Sequence, residues 1–423
     1  MTAGFANRAA LQAEQLRQLR SLLKTLLPAN PFYAAKLRDS GLAADVASLE
    51  EFCRRCPFTT KAEIAADQHA HPPFGTNLTF PVEAYTRCHQ TSGTSGAPLR
   101  WLDTPESWAW MIGNWEQVHR AGGVTKADRI FFAFSFGPFL GFWTAFESAQ
   151  RIGSLVFSGG GMSSAARVRA ILDLRATVVC CTPTYAIHLA EVAAQEQLDL
   201  TKSAVRLLSV AGEPGGSIPA VRERLQQLWP GARIHDHHGM TEVGPVSFED
   251  PTIPCSLRVI ESSYLAEVMD PQTLQPVADG AVGELVLTTL GRTGSPLLRY
   301  RTGDLVKPRV ADDGEFLLLE GGILGRADDM IVVRGVNVYP SAVDEIVRGL
   351  AGIAEYRVRV LNAAALAELR VEIEPQTGHD GKMLAATLER RFSTALALRV
   401  PVAAVAAGAL PRFEMKARRW VRE

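Results

Sequence analysis

The sequence predicts an α/β protein: a large N-terminal α/β domain over residues 1–325 and a small C-terminal α+β domain over residues 326–423. Three observations predict this. The chain has 423 residues, too many for one hydrophobic core. From about residue 128 to residue 320, short β-rich runs alternate with helical ones. After Gly325-Arg-Ala-Asp-Asp329 the pattern changes to a compact mixture of short strands and helices.

Along the chain, residues 8–26 have helical apolar spacing that should stop before Pro28. Pro57-Phe-Thr-Thr-Lys-Ala-Glu-Ile64 reads as a turn, a threonine N-cap and a short helix. Ile130–Phe134, Ser154–Phe157, Thr177–Cys181 and Arg206–Val210 read as strands, with helices over 163–174 and 217–228. Leu285–Thr289 and Phe316–Glu320 have no long helix between them and predict an antiparallel portion. In the tail we expect a strand over 331–338, a helix over 341–350 opened by a capping box at Ser341–Asp344, and strands near 355–361 and 369–374. A helix over 383–396 and a strand near 402–406 complete it.

Apolar residues make up 47% and charged residues 21%, an ordinary globular balance. A net charge of −1 gives no basis for a nucleic-acid or anionic-membrane partner. No apolar run reaches spanning length, and Met1-Thr-Ala-Gly-Phe5 lacks the basic-then-apolar opening of a signal peptide. A cytoplasmic protein is expected. Its cysteines, at 53, 56, 88, 180, 181 and 255, should then be reduced thiols. Cys53-Arg-Arg-Cys56 has zinc or redox spacing, but no second Cys/His pair is near. A helix-to-turn segment with one or both thiols buried explains it better.

The run Gln90-Thr-Ser-Gly-Thr-Ser-Gly-Ala-Pro98 follows a strand-like stretch. Its glycines let successive amides point inward as an anion-binding nest, and its hydroxyls add donors for phosphate oxygens. It is not a Walker loop, because no Gly-Lys-Ser/Thr follows. Read alone, a Ser/Gly surface loop fits equally. Gly239-Met-Thr-Glu242 follows His235-Asp-His-His238. Thr241 could bind a phosphate oxygen and Glu242 a Mg²⁺ ion, or the pair could simply start a helix. The histidines have no distant partners at metal-ligand spacing. In Tyr300-Arg-Thr-Gly-Asp304 the aspartate could accept ribose hydroxyls, although Thr-Gly-Asp is also an ordinary turn. Lys416 lies in a short terminal loop, where one lysine is normally solvent-facing.

Together, in this order, these motifs resemble the adenylate-forming superfamily, in particular phenylacetate–coenzyme A ligases. The resemblance covers almost the whole chain, including Asn30-Pro-Phe-Tyr33, Leu49-Glu-Glu-Phe52, Thr182-Pro-Thr-Tyr185, Ala211-Gly-Glu-Pro214 and Leu410-Pro-Arg412. Its most specific piece is Gly325-Arg-Ala-Asp-Asp-Met-Ile-Val-Val-Arg-Gly-Val-Asn-Val-Tyr-Pro340, similar to the family's junction between large and small domains.

The resemblance implies a two-step ligase using ATP, Mg²⁺ and coenzyme A. A small-molecule carboxylic acid is adenylated with release of pyrophosphate, and a thiol then displaces AMP. It implies that Thr91, Ser92, Gly93, Thr94, Ser95 and Gly96 hold the β/γ-phosphates, that Thr241 contacts the α-phosphate and that Glu242 binds Mg²⁺. Glu213, Pro214, Asp236 and His238 would frame the adenine, with Asp304 on the ribose and Arg326 nearby. Lys416 would bridge the carboxylate and α-phosphate oxygens. Asp328 would be the hinge about which the small domain turns between steps. Phe136 and Phe139 would flank the acid, with Tyr185 and Gly212 nearby, a wall suited to an aryl or aryl-acetic acid.

Three departures from the pattern stand out. Ala97 replaces a lysine, for which Arg100 could compensate; His238 replaces an adenine-stacking tyrosine; Met415 replaces the glycine before Lys416. Some relatives bind zinc after the Thr-Glu motif, but that region offers only Cys255, so no structural metal is expected. Two rivals stay open: an enzyme loading the phosphopantetheine thiol of a carrier protein, and a nucleotide-binding protein that has lost catalysis. A homodimer is left open.

Overall fold

The protein is described by a computed structural model covering residues 7–91, 98–311, 316–327, 331–333, 336–363, 366–413 and 417–422. Helix α1 (Arg8–Ala29) begins at Asn7, whose side chain accepts from the Ala10 amide. It runs past its expected stop, with Pro28 in the last turn. So near the end, the proline removes one donor only, and the Asn30 amide still closes on the Leu26 carbonyl. Asn30 then caps α2 (Pro31–Lys36). Helix α3 (Leu49–Arg55) ends at the buried Cys56. Helix α4 (Lys61–Ala70) opens with the Thr60–Glu63 capping box, as the sequence suggested.

Strands β1 (Arg87–Gln90) and β2 (Arg100–Asp103) pair antiparallel, and α5 (Pro105–Ala121) follows. The chain then alternates as predicted through β3 (Arg129–Phe132), α6 (Leu140–Ile152), β4 (Leu155–Ser158), α7 (Ser164–Asp173), β5 (Val178–Cys181), α8 (Pro183–Gln195), β6 (Leu207–Val210), α9 (Pro219–Leu228) and β7 (Arg233–Met240). These strands lie parallel in the order β4-β3-β5-β6-β7. Both faces are covered. Ile130, Phe132, Val178, Cys180 and Leu207 pack into one cluster, while Phe131, Val179, Cys181 and Leu208 pack into another. That is the period-two alternation of a strand buried on both sides. It sends the adjacent Cys180 and Cys181 to opposite faces.

The same sheet continues antiparallel through β8 (Gly244–Glu249) and β9 (Ser256–Val259). A separate antiparallel sheet holds β10 (Tyr264–Met269), β11 (Gly283–Thr289) and β12 (Tyr300–Val306). Strands β13 (Pro308–Val310) and β14 (Leu317–Glu320) return to the edge beside β9, whereas β15 (Gly325–Arg326) joins β12. The two runs expected to form one antiparallel portion thus sit in two sheets. Tyr300–Asp304 also lies within β12 instead of a free turn, with Gly303 at φ +76° beside a register shift.

In the small domain, β16 (Ile331–Val333) and β17 (Val336–Val338) pair antiparallel where one strand over 331–338 was expected. Helix α10 (Pro340–Arg348) has Tyr339 at its N-cap and no side-chain cap; the Ser341 hydroxyl donates instead to the Leu324 carbonyl. The expected capping box is therefore absent. Strands β18 (Ile353–Ala363), β19 (Leu366–Pro375) and β20 (Val402–Ala404), with helix α11 (Gly381–Leu396), match the sequence reading closely. Strand β21 (Trp420–Arg422), which pairs parallel with β18, was not anticipated. Among the described residues no helix is long and apolar enough to cross a membrane.

Candidate active site

The candidate site lies where the parallel strands end, the usual place for ligands in open α/β sheets. Beyond β5, Thr182 caps α8 by accepting from the Tyr185 amide at 3.1 Å. Beyond β6 comes Ala211-Gly-Glu-Pro214, with Gly212 at φ +93°. Glu213 joins three segments: one carboxylate oxygen accepts from the Thr184 amide, the other from the Ala417 amide, each at 2.8 Å. Pro214 is exposed beside it.

Asp236 sits in β7, buried, accepting from the Ser217 hydroxyl at 2.6 Å. Burial pushes its carboxyl up to about 7; the Ser217 bond opposes that shift, and the nearby Glu249 adds to it. The Asp236 carboxyl also packs against the Gly216 backbone, where a Cβ would come within 2.5 Å of its carboxyl carbon. Two residues on, the His238 ring nitrogen lies 3.0 Å from an Asp304 oxygen, and the Arg326 guanidinium donates to the other oxygen at 3.3 Å. The bulge at Gly303 makes room for this, since a Cβ there would stand 2.7 Å from Arg326. His235 and His237 face the core, where burial holds both rings neutral, His235 with its pKa down to about 3. Among the described residues no group of three side chains could hold a metal ion by itself.

Thr241 and Glu242 occupy the turn between β7 and β8, not the start of a helix. Glu242 is buried, with the Lys61 ammonium 3.5 Å from its carboxylate. Arg100, suggested as a substitute for the missing loop lysine, instead donates to the Pro73 carbonyl. Lys61 is thus the cation beside Glu242, and the motif Pro57-Phe-Thr-Thr-Lys61 acquires a place in the site that sequence reasoning did not give it. Thr91 is buried, its hydroxyl accepting from the Leu99 amide at 3.0 Å. Ser92, Gly93, Thr94, Ser95 and Gly96 lie outside the described residues, as do Ala97, Asp328, Met415 and Lys416.

The segment 134–146 folds into an aromatic cluster. Phe134 stacks on Phe142 with centroids 4.1 Å apart, and Phe136 meets Trp143 and Phe146 edge-on at 4.9 and 5.3 Å. Phe139 adds an edge to Phe142. Pro138 accepts from the Gln90 amide, tying this wall to the hairpin that carries Thr91. Tyr185 is not brought into the cluster. It is fully buried on the other face of the sheet, bonded to Ser164 at 2.9 Å and to Arg167.

The small domain docks here through a buried arginine. Arg419 forks onto Glu355 at 2.7 and 3.1 Å, and two of its nitrogens lie 3.3 Å from the Thr184 hydroxyl. None of this contact was legible in the motifs.

Residues 89–291 match the family model of AMP-binding enzymes, and residues 335–423 match that of the AMP-binding enzyme C-terminal domain. The fold and the two matches define the class: the chain is an AMP-binding enzyme. It is 31% identical to the phenylacetate–coenzyme A ligase of Thermus thermophilus, over 86% of this chain and 82% of that one. Against the Pseudomonas putida phenylacetate–coenzyme A ligase it is 29% identical, over 96% and 93%. The chain belongs to the phenylacetate–coenzyme A ligase family of AMP-binding enzymes. A solved 2-hydroxyisobutyryl-CoA ligase in its postadenylation state, with an acyl-AMP, superposes with a TM-score of 0.93 at 28% identity, covering 99% of this chain and 91% of that one. The same ligase in its thioesterification state, with CoA, superposes at 0.74 over the same coverage. The small domain of this chain therefore sits as in the first of those two arrangements.

Proposed function

We propose that this chain activates an aryl or aryl-acetic acid with ATP and passes the acyl group to coenzyme A. The acid's carboxylate attacks the α-phosphate of ATP, giving acyl-adenylate and pyrophosphate. The thiol of coenzyme A then attacks the activated carbonyl and AMP leaves. The carboxylate is already ionised, so the chain's residues need to position and neutralise charge more than move protons.

The roles divide as follows. Asp304, steadied by Arg326 and His238, accepts the ribose hydroxyls, while Asp236, Glu213, Pro214 and the His238 ring frame the adenine. Thr241 donates to the α-phosphate. Thr91 to Gly96 and Lys61 surround the leaving phosphates. Lys416 neutralises the carboxylate and α-phosphate oxygens during the first step. A division at 325/326 with Asp328 as hinge lets the small domain turn between steps. Glu242 suits Mg²⁺: it is a hard, buried carboxylate, and among the described residues its ion-pair partner is the Lys61 ammonium 3.5 Å away, too far for a close hydrogen bond. When bound there, the ion would neutralise phosphate charge. The observation that carries the reading is the Ala417 amide docked on Glu213, which puts the residue after Lys416 against the nucleotide loop.

The aromatic cluster supports the choice of acid. A ring gains about 0.5–1.5 kcal/mol per aromatic pair beyond area, whereas a hydroxyl left unpaired against Phe136 and Phe139 costs about 1–3 kcal/mol. ATP–pyrophosphate exchange across phenylacetate, benzoate, acetate and 2-hydroxyisobutyrate tests this. Phenylacetate or benzoate should exchange fastest, and Phe136→Ala should flatten that preference more than it raises the KM for ATP. If acetate or the hydroxy acid is the best substrate, the pocket assignment is wrong while the ligase chemistry stands.

A further inference from the structure

The loop between β11 and β12, Gly291-Arg-Thr-Gly-Ser-Pro296, belongs to none of the site motifs. Its Arg292 nevertheless has no solvent exposure at all, and neither has its partner Asp103, with 0% for both side chains. The guanidinium forks both Asp103 oxygens at 2.7 Å. Its remaining terminal nitrogen donates to the backbone carbonyls of Thr241 at 2.9 Å and Glu242 at 2.6 Å. The Trp101 ring lies 5.5 Å from it. A buried ion pair gives little net stability, because desolvation consumes most of the attraction, and a well-packed apolar pair would serve the core as well. An apolar pair could not, however, hold two carbonyl oxygens of a turn.

The two ends of this contact belong to different parts of the site. Asp103 closes β2, paired with Arg87 of β1, in the hairpin that carries Thr91 at its tip. Thr241 and Glu242 form the turn after β7. The loop is pinned to the hairpin a second time, where the Ser295 hydroxyl donates to the Leu102 carbonyl at 2.9 Å. We propose that Arg292 is a positioning residue. It fixes the spacing between the phosphate hairpin and the Thr241–Glu242 turn, and so sets the affinity for Mg·ATP in the first half-reaction. This rests on the reading of the site given above.

The test compares full-length wild type, Arg292→Lys and Asp103→Asn in pyrophosphate exchange. Lysine keeps the charge but cannot fork a carboxylate and hold two carbonyls together. Losing such a support ordinarily costs about 10- to 100-fold. The KM for Mg·ATP should rise by about that factor in both variants, while kcat and the KM for the acid stay within about threefold. A purely structural role would lower the melting temperature and the active fraction, moving kcat and neither KM. An unchanged KM for Mg·ATP, or an equal rise in both KM values, overturns the proposal. If Arg292→Lys does not fold, Asp103→Asn, isosteric and still hydrogen-bonding, gives the decision. Wild type that exchanges with no acid would refute the proposed reaction itself, a result distinct from any change between variants.

Discussion

Replacing Thr184 by valine removes a single hydroxyl at the contact between the domains. Arg419 and its partner Glu355 both belong to the small domain and move together, whereas Thr184 opens α8 of the large domain. If the small domain turns between steps as proposed, the Thr184 contact is made only in the present arrangement. Hydrogen bonds to a charged group are worth about 1.5–3 kcal/mol. These two share one acceptor and are long, at 3.3 Å, so we take about 1–2 kcal/mol. That corresponds to about a 5- to 30-fold shift between the two arrangements. Valine preserves the shape and leaves the Thr184 amide on Glu213. The assay measures two rates: pyrophosphate exchange, and thioester formation from supplied acyl-adenylate and coenzyme A. Each rate follows the population of its own arrangement, so their ratio follows the equilibrium between them. The ratio should move about 5- to 30-fold towards thioester formation, and Thr184→Ser should restore it. Equal loss in both half-reactions, or an unchanged ratio, would refute the reasoning.

Lys416→Ala should abolish exchange yet largely spare thioester formation from supplied acyl-adenylate; equal loss in both would sink the alternation of domains. Glu242→Gln should raise the Mg²⁺ concentration needed for half-maximal exchange by about tenfold or more, because an amide is a poorer ligand for a hard cation. An unchanged Mg²⁺ titration would leave Glu242 a turn residue only. Asp236 holds its proton in the folded chain up to about pH 7, whereas an unfolded aspartate loses it near 4. Its contribution to stability therefore falls as pH rises through that window and is flat above it. Asp236→Asn does not titrate, so in denaturant melts it should gain on wild type by about 3 kcal/mol between pH 5 and 8. Parallel curves would contradict the assignment.

The parallel half of the sheet was legible because each strand and helix announces itself locally, through apolar runs, Pro and Gly boundaries and caps such as Thr60. The strand-end motifs were legible for the same reason. What failed depended on distant partners. Arg292 carries no local signal because Asp103 lies 189 positions away, and Lys61 reads as a helix start because Glu242 belongs to another segment. Ser341 looked like a cap until the Leu324 carbonyl claimed its hydroxyl. Strand β21 is too short to signal itself, and only its pairing with β18 makes it a strand. Pro28 misled because a proline's cost depends on its distance from the helix end, which spacing does not reveal.

The cysteines have a chemical consequence. All are free thiols, and Cys88 is the exposed one. Burial, first among the causes, raises every one of them above the ordinary range, Cys56 and Cys180 to about 12. A thiol reacts as its thiolate, and at neutral pH this chain holds almost none. An acyl-adenylate is an electrophile that any thiolate would intercept. With its own sulfurs kept protonated, the enzyme is a poor target for self-acylation and for mixed disulfides with the sulfur cofactor it consumes. The one competent sulfur nucleophile near the activated acid is then the one that arrives with the co-substrate.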